Sequence, residues 1–235
     1  GYNALIVNSS GVSNTAVGMN ALDANTTADN NTAVGVGSMG ATTTGDQNVA
    51  MGVGALGNNT TGTINVAMGF GALNDNTTAS NNTAIGNQAL AVNTTGTRNT
   101  VLGSSAGAAT TTGDDNTFLG YLAGGVGTVT GDNNTTLGSS AGKNLSSGGN
   151  NLLLGHDAGL SGSPGGPIDT ESNEIVLGDE NISAAHIQVS FTVASDKRDK
   201  TDVEPVKMGL DFVNKLEPVT YKWDKRSLYV EKGED

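Results

Sequence analysis

A five-residue phrase returns through most of this chain at a nearly fixed interval, and that interval limits the possible folds more than any single residue does. Asn14-Thr15-Ala16-Val17-Gly18 recurs as Asn31-Thr32-Ala33-Val34-Gly35, Asn48-Val49-Ala50-Met51-Gly52, Asn65-Val66-Ala67-Met68-Gly69 and Asn82-Thr83-Ala84-Ile85-Gly86. Looser copies follow at 99–103, 116–120, 134–138 and 151–155, and a last one, opening on Glu174, closes at Gly178. The glycines are 17 residues apart six times, then 18, 17 and 23 apart. So short and regular a period describes one structural unit stacked on itself.

Each unit joins a β-like run, such as Thr15 to Leu22, to a turn-rich run such as Asn25-Thr26-Thr27 or Thr111-Thr112-Gly113-Asp114. Apolar residues do not recur at helical spacing, and Gly, Thr and Asn are weak helix formers. The expected fold is all-β, a parallel β-solenoid or β-roll of 17-residue coils. Val17 and its equivalents Val34, Met51, Met68, Ile85, Leu102, Leu119, Leu137, Leu154 and Leu177 are all large and aliphatic. Four places on comes a small residue, as at Ala21, Ser38, Ala55 and Ala72. A large and a small residue on one face suit a narrow interior, so both are expected to point inward. Aromatics make up only 4% of the chain against 35 glycines, which suits a thin coil and not a wide globular core.

Parallel stacking sets equivalent residues about 4.8 Å apart, so ten units make a rod on the order of 45–50 Å long. Asn14, Asn31, Asn48 and their successors should then form an amide ladder, their expected role being turn chemistry and not ligand binding. A change of register divides the array: Leu22, Met39, Leu56, Leu73 and Leu90 give way at that position to Gly107, Gly124, Gly142 and Gly159. Losing a large side chain from four consecutive coils should narrow or re-curve the rod, or change what it packs against. Seventeen residues enclose little core, and three rods sharing an axis would bury a second apolar stripe, so a homotrimer is expected.

The formal charge of −12 is unevenly placed. Residues 1–194 hold two basic groups, Arg98 and Lys143, against thirteen acidic ones; residues 195–235 hold nine basic and ten acidic. An array without a basic face is a poor phosphate binder, which argues against nucleic acid as a partner. No apolar run approaches the length of a membrane span. The chain has no cysteine, and neither His156 nor His186 has ligand spacing to a partner, so no metal or cofactor is expected. Carboxylate pairs such as Asp114-Asp115 sit in turns and read as solvated turn residues, not as a glycosidase pair. Gly1-Tyr2-Asn3-Ala4-Leu5 aligns with Gly18-Met19-Asn20-Ala21-Leu22, so the sequence opens in mid-repeat and upstream protein is expected.

The Asn-Thr-Ala-Val-Gly phrase resembles the head repeats of trimeric autotransporter adhesins. The longer pattern over residues 1–178, Gly-x-x-Ala-Leu followed by Asn-Thr-Thr-Gly and Asn-Thr-Ala-Val, is still more similar to repeats of phage tail-fibre proteins. The resemblance implies a left-handed, homotrimeric shaft exposed on a virion tail or, alternatively, a bacterial cell-surface adhesin or extracellular filament subunit. Its implied partners are further copies of itself, a host cell-surface glycan or protein receptor, and upstream tail or baseplate proteins. A tailspike glycan hydrolase would need a catalytic domain upstream of Gly1.

Three regions are expected: repeats over 1–182, a strand-like neck over 183–194, and a different segment over 195–235. Ser161-Gly162-Ser163-Pro164-Gly165-Gly166-Pro167 should loop out of one coil. In the neck Ile187, Val189, Phe191 and Val193 alternate. Beyond Ser195 the chain is charged, then offers a helix from about Val206 to Leu216 and a strand through Val219, Tyr221 and Trp223, a small α+β segment. Ser195, Asp196, Arg198, Lys200, Val203, Pro205 and Trp223 resemble the opening of the intramolecular chaperone of endosialidase-type tailspikes and tail fibres, found also in myelin regulatory factor. Asp199 departs from that pattern, and the segment ends at Asp235, before a full domain of the type would. The resemblance implies that Ser195 is a nucleophile and Lys200 its general base, cutting the chain beside Ser195 once trimers have formed. Such a lysine must lose its proton near neutral pH.

Overall fold

The computed structural model describes residues 1–186, and Gly1–Ala185 form one compact unit. The helix, the second strand and most of the neck expected from the sequence lie outside the described residues. Ten strands of three residues each form a single parallel sheet in chain order. They are β1 (Thr15–Val17), β2 (Thr32–Val34), β3 (Val49–Met51), β4 (Val66–Met68), β5 (Thr83–Ile85), β6 (Thr100–Leu102), β7 (Thr117–Leu119), β8 (Thr135–Leu137), β9 (Leu152–Leu154) and β10 (Ile175–Leu177). Thr15 pairs with Thr32 and each later rung repeats that register, so the spacing of the sequence phrase is the spacing of the coils. The architecture is the expected all-β parallel solenoid, and the described residues contain no helix.

The strands are shorter than the sequence pattern suggests, because each stops at a glycine. Gly18 sits at φ 138°, and a Cβ there would overlap the Gly35 carbonyl of the next rung. Only a residue without a side chain lets two rungs approach so closely. Beyond that corner the backbone turns on left-handed residues, including Leu22 (φ 51°), Met39 (φ 50°), Leu56 (φ 53°), Leu73 (φ 50°) and Leu90 (φ 51°). These bulky residues hold a conformation that usually belongs to glycine or asparagine. Two neighbouring rungs fix it, as where Leu56 N–H donates to the Ala72 carbonyl (2.9 Å).

The inward face corrects one expectation. Val17 and its column do not fill the coil: Val17 is 56% exposed and Leu102 47%. The buried strand residue is the central one, Ala33, Ala50, Ala67 and Ala84 and later Val101, Phe118, Thr136, Leu153 and Val176. Strand alternation explains this, since the two residues flanking an inward one must face out. Ala21 does point inward as expected, and Leu22 beside it does too, because its positive φ breaks the alternation.

The glycine substitution at 107, 124, 142 and 159 also works differently from the expected narrowing. Where the left-handed position loses its leucine, the strand centre gains volume. A Cβ on Gly107 would lie 2.9 Å from Phe118 Cδ2, and one on Gly124 would overlap the Phe118 ring. A Cβ on Gly159 would lie 3.0 Å from a Leu153 methyl. The core keeps its bulk by exchanging the positions of large and small residues.

Two amide columns complete the interior. Asn31 N–H donates to Asn14 Oδ1 (2.9 Å), Asn48 N–H to Asn31 Oδ1 (2.8 Å) and Asn65 N–H to Asn48 Oδ1 (2.9 Å), as expected of the ladder. The second column, Asn59, Asn76 and Asn93, is equally buried, and Asn76 Nδ2 donates to Asn59 Oδ1 at 2.9 Å.

Candidate functional site

Because the central residue of every strand points inward, its neighbours form a continuous outer ribbon. One column of that ribbon is Val17, Val34, Met51, Met68, Ile85, Leu102, Leu119, Leu137, Leu154 and Leu177, each half-buried or exposed. The other is Thr or Val in the first eight strands and Leu152 and Ile175 in the last two. No charged side chain interrupts either column. An apolar strip running through ten rungs far exceeds the scattered exposure that a monomer surface ordinarily tolerates. Just past the glycine corner a third column is apolar at first, Met19, Val36, Val53 and Phe70, and then mostly polar, Asn87, Ser104, Tyr121, Ser139 and His156. A groove of about 340 Å³ opens beside Phe70, between Val53, Asn74, Gln88 and Val92.

The acidic residues lie elsewhere and have local work. Asp46 Oδ1 accepts the Asp29 N–H (2.7 Å), and Asp114 Oδ1 accepts the Thr97 N–H (2.6 Å). Each carboxylate therefore satisfies a backbone donor of the preceding rung. Asp115 is engaged by Arg98 through Nε (2.6 Å) and Nη2 (2.8 Å). That fork holds the Asp115 carboxyl below its usual range and raises Arg98 further. Asp114 and Asp115 lie in a turn, as their setting in the sequence suggested, and both also pair with Arg98, which it did not. The Glu171 carboxyl is also held low, chiefly by the Asp169 N–H.

His156 has neighbours that its sequence spacing does not reveal. Its Nδ1 lies 3.4 Å from Asp157 Oδ2 and 3.6 Å from Asp179 Oδ2. The signal was available: Gly155 and Gly178 are equivalent, so His156 and Asp179, each one residue later, lie one above the other. The 23-residue coil between them hides that alignment from any search for short ligand spacings. His186 is exposed and belongs to no such group among the described residues.

Ser195 and Lys200, the residues expected to carry self-cleavage, lie outside the described residues. No helix among the described residues is long and apolar enough to cross a membrane. Residues 195–235 match the model of the peptidase S74 family, described as the chaperone of endosialidase. No curated protein and no solved structure matches the chain.

Proposed function

We propose that this chain forms the shaft of a homotrimeric phage tail fibre, assembled by the chaperone-type segment that follows it. The reading is carried by the outer aliphatic column, unbroken over ten rungs in a chain whose residues 195–235 match the chaperone of endosialidase. A ribbon of this kind left in water invites edge-on and face-on aggregation. Three copies around one axis cover it with one another's equivalent rungs. The same near-identity of rungs makes misregistered pairing easy, and a C-terminal chaperone answers that hazard by aligning three ends before the shafts zip.

In this reading the shaft projects from the virion tail, with upstream tail or baseplate proteins beyond Gly1. Turn residues on its free faces, repeated many times over, contact a host glycan or protein receptor, where multivalency compensates weak single contacts. Lys200, unprotonated, takes the Ser195 proton as the serine oxygen attacks the adjacent peptide carbonyl. The peptide C–N bond breaks, the proton passes from Lys200 to the departing amine, and water hydrolyses the resulting ester in a single turnover.

Sedimentation equilibrium of the full chain tests the assembly. A mass of three chains is expected, and a monomer or dimer overturns it. Deleting residues 195–235 should give insoluble or misregistered product, and soluble trimers made without them would count strongly against the chaperone role. Intact mass of wild type beside Ser195→Ala tests the cleavage: the same single species from both removes Ser195 from that role.

A further inference from the structure

We propose that the corner joining the last two rungs is a site for one zinc-class divalent cation, with ligands His156 Nδ1, an Asp157 carboxylate oxygen and an Asp179 carboxylate oxygen. The three donor atoms all lie within 4.8 Å of one another, the two involving the imidazole at 3.4 and 3.6 Å. A tetrahedral ion with bonds near 2.0–2.1 Å sets its ligands roughly 3.3–3.5 Å apart, so a small closure seats it. An imidazole beside two carboxylates suits zinc better than magnesium or calcium, which prefer all-oxygen shells.

The second observation concerns the backbone at this corner. In rungs two to nine, the residue two beyond the corner glycine donates its N–H to the carbonyl one beyond the glycine of the rung before. Gly37 N–H donates to Met19 O (2.9 Å), Ser105 to Asn87 (2.8 Å), Ser140 to Tyr121 (2.8 Å) and Asp157 to Ser139 (3.0 Å). The equivalent pair at rung ten, Glu180 N–H and His156 O, forms no such bond. The side-chain cluster therefore sits where the stack lacks its usual tie, directly after the 23-residue coil whose 161–167 loop bulges out. A cation shared by His156 on rung nine and Asp179 on rung ten restores the link.

Charge and orientation agree. The ion pairs of these two carboxylates involve His156 and, among the described residues, no lysine or arginine. With neutral imidazole the pair carries two uncompensated negative charges, which a divalent ion balances. The Asp179 side chain is only 12% exposed, and Asn181 orients it through its N–H (2.9 Å) and its amide (3.0 Å). A hydrogen-bonded partner that fixes a ligating carboxylate is the usual outer shell of such sites. His156, 66% exposed, leaves a face open for water as the fourth ligand and for ion entry.

The test is zinc binding by the tag-free full chain at pH 7.5, in competition with a chromophoric chelator. One zinc per chain is expected, with affinity falling at least tenfold in His156→Ala and in Asp179→Asn, and unchanged in His186→Ala. Asn181→Ala, a positioning change, should weaken binding by about 10–100-fold while leaving the stoichiometry at one. Zinc, but not magnesium, should raise the melting midpoint of wild type and not of His156→Ala. Absence of zinc binding to wild type overturns the proposal and leaves a protonatable His–Asp pair. Equal affinity in wild type and His156→Ala overturns it too, by placing the ion elsewhere. Because the site lies within one chain, neither outcome depends on trimer formation.

Discussion

Rungs one to five and rungs six to nine solve the same packing problem in opposite ways. In the first group a small alanine at the strand centre faces a large residue at the left-handed corner, as Ala50 faces Leu56. In the second, glycine holds the corner and the bulk moves to the strand, with Phe118 and Leu153 fully buried. The first arrangement forces an aliphatic side chain into a strained backbone conformation. The second relieves that strain, but adds glycines that lose more conformational entropy on folding. The amide columns differ as well. Asn59, Asn76 and Asn93 are buried in the first group, whereas Leu145 and Val129 line the second. A solenoid interior thus conserves its volume more strictly than the placement of that volume.

The sharpest way to break this comparison is Phe118→Ala. The ring fills the space above two glycines, so its loss should destabilise the chain by about 3–5 kcal/mol in chemical denaturation. Adding Gly124→Leu rebuilds the first group's arrangement within one coil and should recover a large part of that loss. If the double variant is no better than the single one, the two groups do not share an exchangeable core.

Leu56 gives the reciprocal test. Leu56→Ala should cost about 2–5 kcal/mol through the cavity it leaves. Leu56→Gly removes one more carbon, yet at φ 53° glycine is the unstrained residue. The two variants should therefore melt within a degree or two of each other, against the ordinary penalty for glycine. A clearly weaker glycine variant would mean that the corner stores little strain.

How much of this was legible in the sequence depends on which physical rule each residue obeys. Coil number and register follow from the corner glycines, because a Cβ there would strike the next rung whatever the other residues are. The Asn14 ladder was legible for a similar reason, since one amide per rung has its equivalent as neighbour. The Val17 column misled. A large aliphatic residue repeated every coil reads as core, and only the three-residue strand, cut short at Gly18, puts it outside and Ala16's column inside. The swap at Phe118 was visible as missing leucines at Gly107 and Gly124, but the compensating gain lay in the Ala16 column, which the repeat pattern does not single out as core. His156 and Asp179 escaped because contact between them depends on register across a lengthened coil. Ser195 and Lys200 were legible only as part of a family pattern, which the match over 195–235 supports as a segment without assigning their roles.

The two amide columns differ in how fully each side chain is hydrogen-bonded. Asn48 Oδ1 accepts from the Asn65 N–H, and its Nδ2 donates to the Gly62 carbonyl (2.9 Å). Asn48→Ala should cost about 1–3 kcal/mol for each of these buried groups left unpaired. Asn93 donates through Nδ2 to the Gly96 carbonyl (2.9 Å) and to Asn76 Oδ1 (3.2 Å), but its own Oδ1 accepts nothing, so its replacement should cost less. Asn93→Leu, which copies the apolar filling at Leu145, should cost less than half as much in the same denaturation experiment. Equal losses at the two positions would show that the bonds Asn93 donates matter as much as the fuller set at Asn48.

The smallest effect belongs to Arg98, at the boundary between the two groups. Its fork to Asp115 lies in solvent, so Arg98→Ala should barely move the melting midpoint at neutral pH and moderate salt. What remains has a definite pH signature. The Asp115 carboxyl is held below its ordinary value by hydrogen bonding to Arg98, so the pair's contribution is present above the ordinary carboxylate range. It fades as pH falls through the lowered folded-state value, where Asp115 takes up its proton. The wild-type advantage over Arg98→Ala should therefore be constant from neutral pH down to the ordinary carboxylate range, vanish at more acidic pH, and shrink in molar salt. An advantage that survives acid and salt alike would belong to the packing of the arginine stem over Thr97 and not to its charge, and the rung boundary would then be held by contact alone.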